Sequence, residues 1–124
     1  MPVGYLASIS IDCPDPDALV SFYCDLLGLE EFFATPDRGV VSLSGAGPML
    51  TLMRVETYEP PSWPGGPQHK QMHFDLAVDD LDIAVAEALA IGAVEAAVQP
   101  SAQQWRVLLD PIGHPFCLST VRPD

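Results

Sequence analysis

His73 and Asp75 stand two residues apart in the run QMHFDLAVDD, residues 71–80, where polar and apolar side chains alternate. An imidazole and a carboxylate on one side of a strand offer three chemistries: a divalent metal site, a proton-transfer pair, or a hydrogen-bonded brace with no ligand role. Burial among apolar neighbours would make Asp75 a stronger base. A salt bridge to Arg54 or Arg106 is the plainer reading of the same carboxylate. Cys117, in PFCLST, adds a thiol that a base such as His73 could activate. The two lie on different strands, and the sequence offers no evident third residue to orient them.

The rest of the chain limits what such residues could be part of. Its 124 residues suffice for one domain with one sizeable core, and 48% are hydrophobic. No run approaches the roughly 20 apolar residues that span a membrane. The start, MPVGYLASIS, lacks a basic region followed by an apolar stretch, so a cytoplasmic protein is expected. Three cysteines, Cys13, Cys24 and Cys117, are odd in number and widely spaced, which argues against a disulfide framework and a zinc knuckle. Seventeen acidic against five basic residues give a net charge of −12. Phosphate backbones and anionic lipids would repel that surface, so nucleic acid and membrane are poor partners; the charge reads first as a well-hydrated surface, and alternatively as a bias toward neutral or cationic ligands. No G-x-G-x-x-G, Walker loop, G-x-S-x-G or H-E-x-x-H is present.

The elements that must position these residues come in two copies. ISIDCPDPDALVSFYCDLLGLE (9–30) aligns with FDLAVDDLDIAVAEALAIGAVE (74–95). Ile11 falls on Leu76, Asp15 on Asp80, Asp17 on Asp82 and Val20 on Val85; with one residue deleted, Gly28 meets Gly92. Each copy reads as an alternating strand, an acidic helix start, an amphipathic helix and a closing glycine. Asp15 is expected to cap the first helix with Pro16 at its first position, and Asp79 or Asp80 to cap the second. Leu19, Tyr23 and Leu27 form the first apolar stripe; Leu81, Val85 and Leu89 form the second. Three strand-like runs follow each helix, and turns containing GAGP and DPIGHP make the last two of each copy a hairpin. The unit is therefore β-α-β-β-β, over about 5–57 and 71–122. Between the copies, YEPPSWPGGPQHK (58–70) is a stiff connector, too rich in proline for a central strand.

Paired units carrying SFYCDLLGLE and LLDPIGHPFCLS resemble the vicinal-oxygen-chelate superfamily, which includes glyoxalase I, extradiol dioxygenases and bleomycin- and fosfomycin-resistance proteins. The likeness is greatest to its small bacterial glyoxalase-like branch and covers nearly the whole chain. It implies an α+β fold in which two βαβββ modules form a curved, cleft-enclosing mixed sheet within a single domain, commonly as a homodimer. Helices would cover one face of each sheet and the other faces would enclose the cleft.

Strand parity then sorts the residues. Phe74, Leu76 and Val78 face the helices, while His73, Asp75 and Ala77 face the cleft. Ile9, Ile11 and Cys13 face the helices, while Ser8, Ser10 and Asp12 face the cleft. The hairpins place Thr51 and Cys117 on the cleft side. Four equivalent positions result: Ser8, Thr51, His73 and Cys117. By resemblance, these are where metal-dependent relatives carry His, Glu or Gln ligands. One histidine, one thiol and two hydroxyls make a poor set for open-site iron, manganese or nickel, so no cofactor is expected; His73 is the weak metal candidate, with Asp75 and Cys117 the first places to look for further ligands were a metal bound.

Trp63, on the proline-rich connector, is read as a lid or an interface residue. Trp105 is read as core or cleft wall, and Met49 and Met53 as an adaptable apolar wall or ordinary core. His69 is read as a solvated loop residue and His114 as a brace of the hairpin turn. The expected protein binds a small, partly aromatic molecule, neutral or cationic, through Ser8, Thr51, Met53, Trp63, His73, Asp75, Trp105 and Cys117. The alternatives are a lyase, isomerase or dioxygenase acting through His73 and Asp75, and a non-catalytic interaction module.

Overall fold

The computed structural model describes residues 2–68 and 72–121, so His69 lies outside the described residues. Contacts divide the chain into two compact units, Met1–Tyr58 and Glu59–Asp124. The first contains β1 (Ser8–Cys13), α1 (Asp17–Leu27), β2 (Glu30–Ala34), β3 (Val40–Ser44) and β4 (Met49–Arg54). The second contains β5 (Phe74–Ala77), α2 (Leu81–Ala90), β6 (Val94–Glu95), β7 (Trp105–Leu109) and β8 (Pro115–Ser119). Both units have the β-α-β-β-β order expected from the repeat.

Each unit builds a four-stranded mixed sheet, ordered β1-β4-β3-β2 in the first and β5-β8-β7-β6 in the second. β1 runs parallel to β4 and β5 parallel to β8, while the remaining pairs are antiparallel. The helix is the crossover that a parallel pair requires. The connector carries no strand over its described residues 58–68.

Period-two alternation divides each sheet into two faces. In the first unit Ile11, Cys13, Val41, Leu43, Leu50 and Leu52 are buried, with Leu19, Phe22 and Tyr23 of α1. Phe22 and Tyr23 meet edge to face with centroids 5.0 Å apart. Full burial of each such side chain contributes about 1.5–3 kcal/mol. In the second unit Leu108, Phe116 and Leu118 are buried with Val85 and Ala88 of α2. The helical stripes therefore differ from the expectation. Leu27 and Leu89 are exposed at 38% and 42%, and Phe22 and Ala88 are buried instead. A spacing of four drifts around a helix that turns every 3.6 residues, whereas a buried face needs steps of three as well.

The helix ends follow the sequence signals with one adjustment. Asp15 Oδ1 accepts the Asp17 N–H at 3.2 Å, and Pro16 already has helical angles in the flanking position. In α2 the Asp80 carboxylate accepts the Ile83 N–H at 3.0 Å. Gly28 closes α1 in the left-handed conformation at φ 67° and ψ 41°. At the end of α2, Ala93 N–H reaches Ala88 O and Gly92 N–H reaches Leu89 O, at 3.0 and 3.2 Å. These are the two bonds of a Schellman closure.

The repeat also extends to charge. Arg38 joins Asp17 at 2.8 Å and Glu31 at 2.7 Å. Arg106 joins Asp82 at 3.0 Å and Glu95 at 3.3 Å. The acids occupy equivalent positions, but the arginines arrive from different places, Arg38 from the turn before β3 and Arg106 from β7.

Candidate functional site

In the second unit, Asp75 pairs with Cys117 across the parallel β5–β8 ladder. His73 lies one residue before the first paired residue of β5, on the same side as Asp75 by parity. Its Nε2 sits 3.2 Å from Asp75 Oδ1. Donor atoms of His73, Asp75 and Cys117 all lie within 4.8 Å of one another. Asp75, which parity placed on the His73 side of its strand, is thus the third group beside His73 and Cys117. The structure also corrects two expectations for Asp75. The side chain is 68% exposed rather than buried, and its partner is His73. Arg54 is engaged with Asp37, and Arg106 with Asp82 and Glu95.

Cys117 is buried in a small apolar cluster with Ala96 and Val107, against which Trp63 packs. Trp63 donates its indole N–H to Val98 O at 3.0 Å. The connector tryptophan therefore belongs to the helix-free face of this sheet, where it walls the thiol. Val107 pairs with Cys117 in register, and Trp105, two residues earlier on β7, shares that face with 37% exposure. His114 stacks on Phe74 and its Nδ1 lies 3.2 Å from Pro115 O. Its backbone N–H and that of Ile112 are received by the buried Asp110 carboxylate at 2.9 and 3.0 Å. The Asp-Pro-x-Gly-His run is thereby a self-braced turn.

In the first unit Ser8 and Thr51 do meet, although Ser8 registers with Met49 and Ser10 with Thr51. Ser8 Oγ lies 2.7 Å from Thr51 Oγ1, which lies 2.9 Å from Ser42 Oγ. Three hydroxyls on three neighbouring strands thus form one chain. Ser42 escaped the sequence reading; its signal was an isolated polar residue opposite Thr51 in the β3–β4 register. Met49 and Met53 share the Thr51 face by parity, Met53 being exposed and Met49 half-buried. Cys13 is fully buried in the core, its thiol directed to Met53 O at 3.6 Å.

Hydrogen bonds from Arg38 hold the Asp17 and Glu31 carboxyls below their ordinary values, and the same bonds push the guanidinium further up. Asp37 is lowered by the Gly39 N–H and the Thr35 hydroxyl. Burial, with Asp25, Glu31 and Glu30 nearby, pushes the Cys24 thiol up.

Two repeated βαβββ units, each with an open mixed sheet and polar groups on its helix-free face, define a glyoxalase-like fold. A family model described as a glyoxalase-like domain matches residues 8–119. The chain belongs to that family, within the vicinal-oxygen-chelate superfamily. It is similar in fold to a glyoxalase/bleomycin resistance protein/dioxygenase family enzyme from Burkholderia phytofirmans, with 21% identity and a TM-score of 0.68 over 93% of this chain and 97% of that one. The fosfomycin resistance protein FosX from Listeria monocytogenes, in a mutant complexed with Mn(II) and dihydroxypropylphosphonic acid, has 15% identity and a TM-score of 0.72 over 98% and 93%. TioX from Micromonospora has 20% identity and a TM-score of 0.63 over 94% and 98%. No curated protein sequence matches the chain.

The resemblance to metal-dependent relatives implies a divalent metal, and the hydroxyls of the first unit do not fit a hard one. Ser8 and Thr51 are neutral hydroxyls whose bonding is directed at each other and at Ser42. Iron, manganese and nickel in open sites select imidazole and carboxylate donors. No helix among the described residues is long and apolar enough to cross a membrane.

Proposed function

We propose that the chain is a small-molecule-binding protein of the glyoxalase-like family that works without the hard divalent metal of its catalytic relatives. The observation that carries this reading is the hydroxyl chain Ser8–Thr51–Ser42, which ties up two of the four positions, Ser8 and Thr51, at which the resemblance expects metal ligands. Three linked hydroxyls can reverse their direction and so present either a donor or an acceptor at Ser8. They carry no charge to attract a cation or repel a neutral group. On the second unit Trp63 and Trp105 give flat apolar surface, with His73 and Asp75 as polar anchors. A carboxylate and two tryptophans on one face of the sheet suit a neutral or cationic, partly aromatic ligand. The net charge of −12 supports the same bias.

The protein is proposed to act in the cytoplasm as a homodimer. Exposed Phe32 and Phe33 on the bulged edge strand β2 support association. Light scattering that returns a monomer mass at micromolar concentration would rule the dimer out.

One observation favours a second reading, an enzyme. Asp75 Oδ1 at 3.2 Å from His73 Nε2 pairs an imidazole with a carboxylate that orients it. A lyase or isomerase could use such a pair. The readings separate in a thermal-shift screen of neutral and cationic aromatic compounds combined with elemental analysis of protein purified without chelator. A ligand at a hundredfold excess over its dissociation constant stabilises by about 2.7 kcal/mol. Stoichiometric iron, manganese or nickel would replace the binding reading with the enzyme. A screen without hits on metal-free protein would leave a non-catalytic interaction module.

A further inference from the structure

The mismatch with a hard metal is confined to the first unit, and the second unit has a different donor set of its own. His73, Asp75 and Cys117 are the one group of three metal-competent side chains found among the described residues. Asp75 and Cys117 lie on adjacent strands of a single sheet, and His73 immediately precedes the first of them. Two are fixed by backbone register, since Asp75 pairs with Cys117, and the third is held by its contact with Asp75 at 3.2 Å. Asp75 is none of the four positions at which metal-dependent relatives carry ligands, and it supplies the carboxylate that those positions lack here.

We propose that His73 nitrogen, Asp75 carboxylate oxygen and Cys117 sulfur bind one thiophilic cation of the zinc class within the second unit alone. Zinc takes sulfur at about 2.3 Å and nitrogen or oxygen at about 2.0–2.2 Å, so tetrahedral donors lie roughly 3.3–3.7 Å apart. The group is already near that span, and rotation of an exposed aspartate and a half-exposed histidine closes the remainder. The thiol surrenders its proton to solvent as the sulfur coordinates, and three protein ligands leave one position open. A sulfur donor selects zinc, cadmium or copper(I) over magnesium and manganese. Trp63, Val107 and Ala96 around the sulfur form the apolar surround that limits water access to such a bond. The other two cysteines lack this setting: Cys13 is enclosed in the helix-side core, and Cys24 lies on α1 outside the group.

This inference does not rest on the organic ligand, because it uses only donors of the chain itself. The test is titration of metal-free, full-length Cys24→Ser protein with Cd(II) in excess Mg(II), read by the ultraviolet cadmium–thiolate charge-transfer band and by proton release. One equivalent of Cd(II), displaced by Zn(II) but not by Mn(II), is the expected result. Adding Cys117→Ser should abolish the band, while Asp75→Asn and His73→Ala should each weaken binding by at least about tenfold, the lower end of the loss that follows removal of one metal-positioning group. Absence of the band, or its persistence in Cys117→Ser, overturns the proposal. Should Cys117→Ser fail to fold, unchanged affinity in both Asp75→Asn and His73→Ala overturns it equally. Failure of the thermal-shift screen has no bearing on this titration.

Discussion

Thr51 Oγ1 stands 2.7 Å from Ser8 Oγ and is the shared member of a hydroxyl chain that continues to Ser42 at 2.9 Å. Thr51→Val keeps the shape and removes both bonds, leaving the buried Ser42 hydroxyl unpaired within the chain. A buried polar group deprived of its partner costs about 1–3 kcal/mol, whereas Ser8→Ala removes a partner at the half-buried end and costs less. Urea melts of the two variants should rank Thr51→Val clearly below Ser8→Ala. Equal stability would show that water replaces the lost bonds.

The repeat, both helices and the side of each strand that faces the core were legible because a period of two and a period of 3.6 leave marks in apolar spacing. The glycines that close the helices were legible for a backbone reason, since only glycine adopts the left-handed angles cheaply. The contents of the site were less so. Parity named Ser8, Thr51, His73, Asp75 and Cys117, but it says nothing of which polar groups satisfy one another. The partnership of Asp75 with His73 depends on side-chain reach at a strand end. That of Ser42 with Thr51 depends on antiparallel register, which several alignments of VVSLS would have allowed. The exchange of Leu27 for Phe22 on the buried face of α1 arose from treating a spacing of four as a straight line.

Gly28 gives a test of the backbone argument by itself. It sits at φ 67°, and a Cβ built there meets no atom within 4 Å. Gly28→Ala therefore carries the left-handed strain without a clash, about 1–2 kcal/mol. Gly28→Asn should recover part of it, because asparagine tolerates this region. A thermal melt in which both variants match the native protein would refute the assignment of strain to this position.

The Arg38 cluster predicts a pH dependence with a definite sign. Asp17 and Glu31 have folded values below their ordinary ones, chiefly through hydrogen bonds to Arg38. A carboxyl depressed on folding adds stability above its unfolded value and loses it as pH falls through the folded value. Arg38→Gln should accordingly be less stable than the native chain at neutral pH, and the two should converge in acid below the carboxylate range. The groups are solvent-exposed, so the difference should be small and should shrink with salt. Chemical denaturation at several pH values and two salt concentrations reads both effects. A difference that persists unchanged into acid would place the role of Arg38 in the turn backbone, where it holds φ 56°, rather than in charge.

His73 bears most directly on function. It precedes β5, is half-buried, and faces away from Phe74, Leu76 and Val78, which carry the packing of that strand. His73→Ala should therefore leave the fold and its melting behaviour intact. If the chain binds a small aromatic molecule, the lost hydrogen bond should cost about 0.5–1.5 kcal/mol. That corresponds to a dissociation constant raised roughly tenfold at most. Calorimetry with a compound from the thermal-shift screen measures the change, and Asp75→Asn should give a smaller loss in the same direction by freeing the ring it holds. An enzyme predicts a different pattern, in which His73→Ala abolishes turnover while binding changes little, because a general base acts in the transition state rather than in the ground state. Loss of stoichiometric iron, manganese or nickel together with activity in His73→Ala would establish a metal enzyme despite the hydroxyls at Ser8 and Thr51. A weakened dissociation constant on a protein free of those three metals is the outcome expected here.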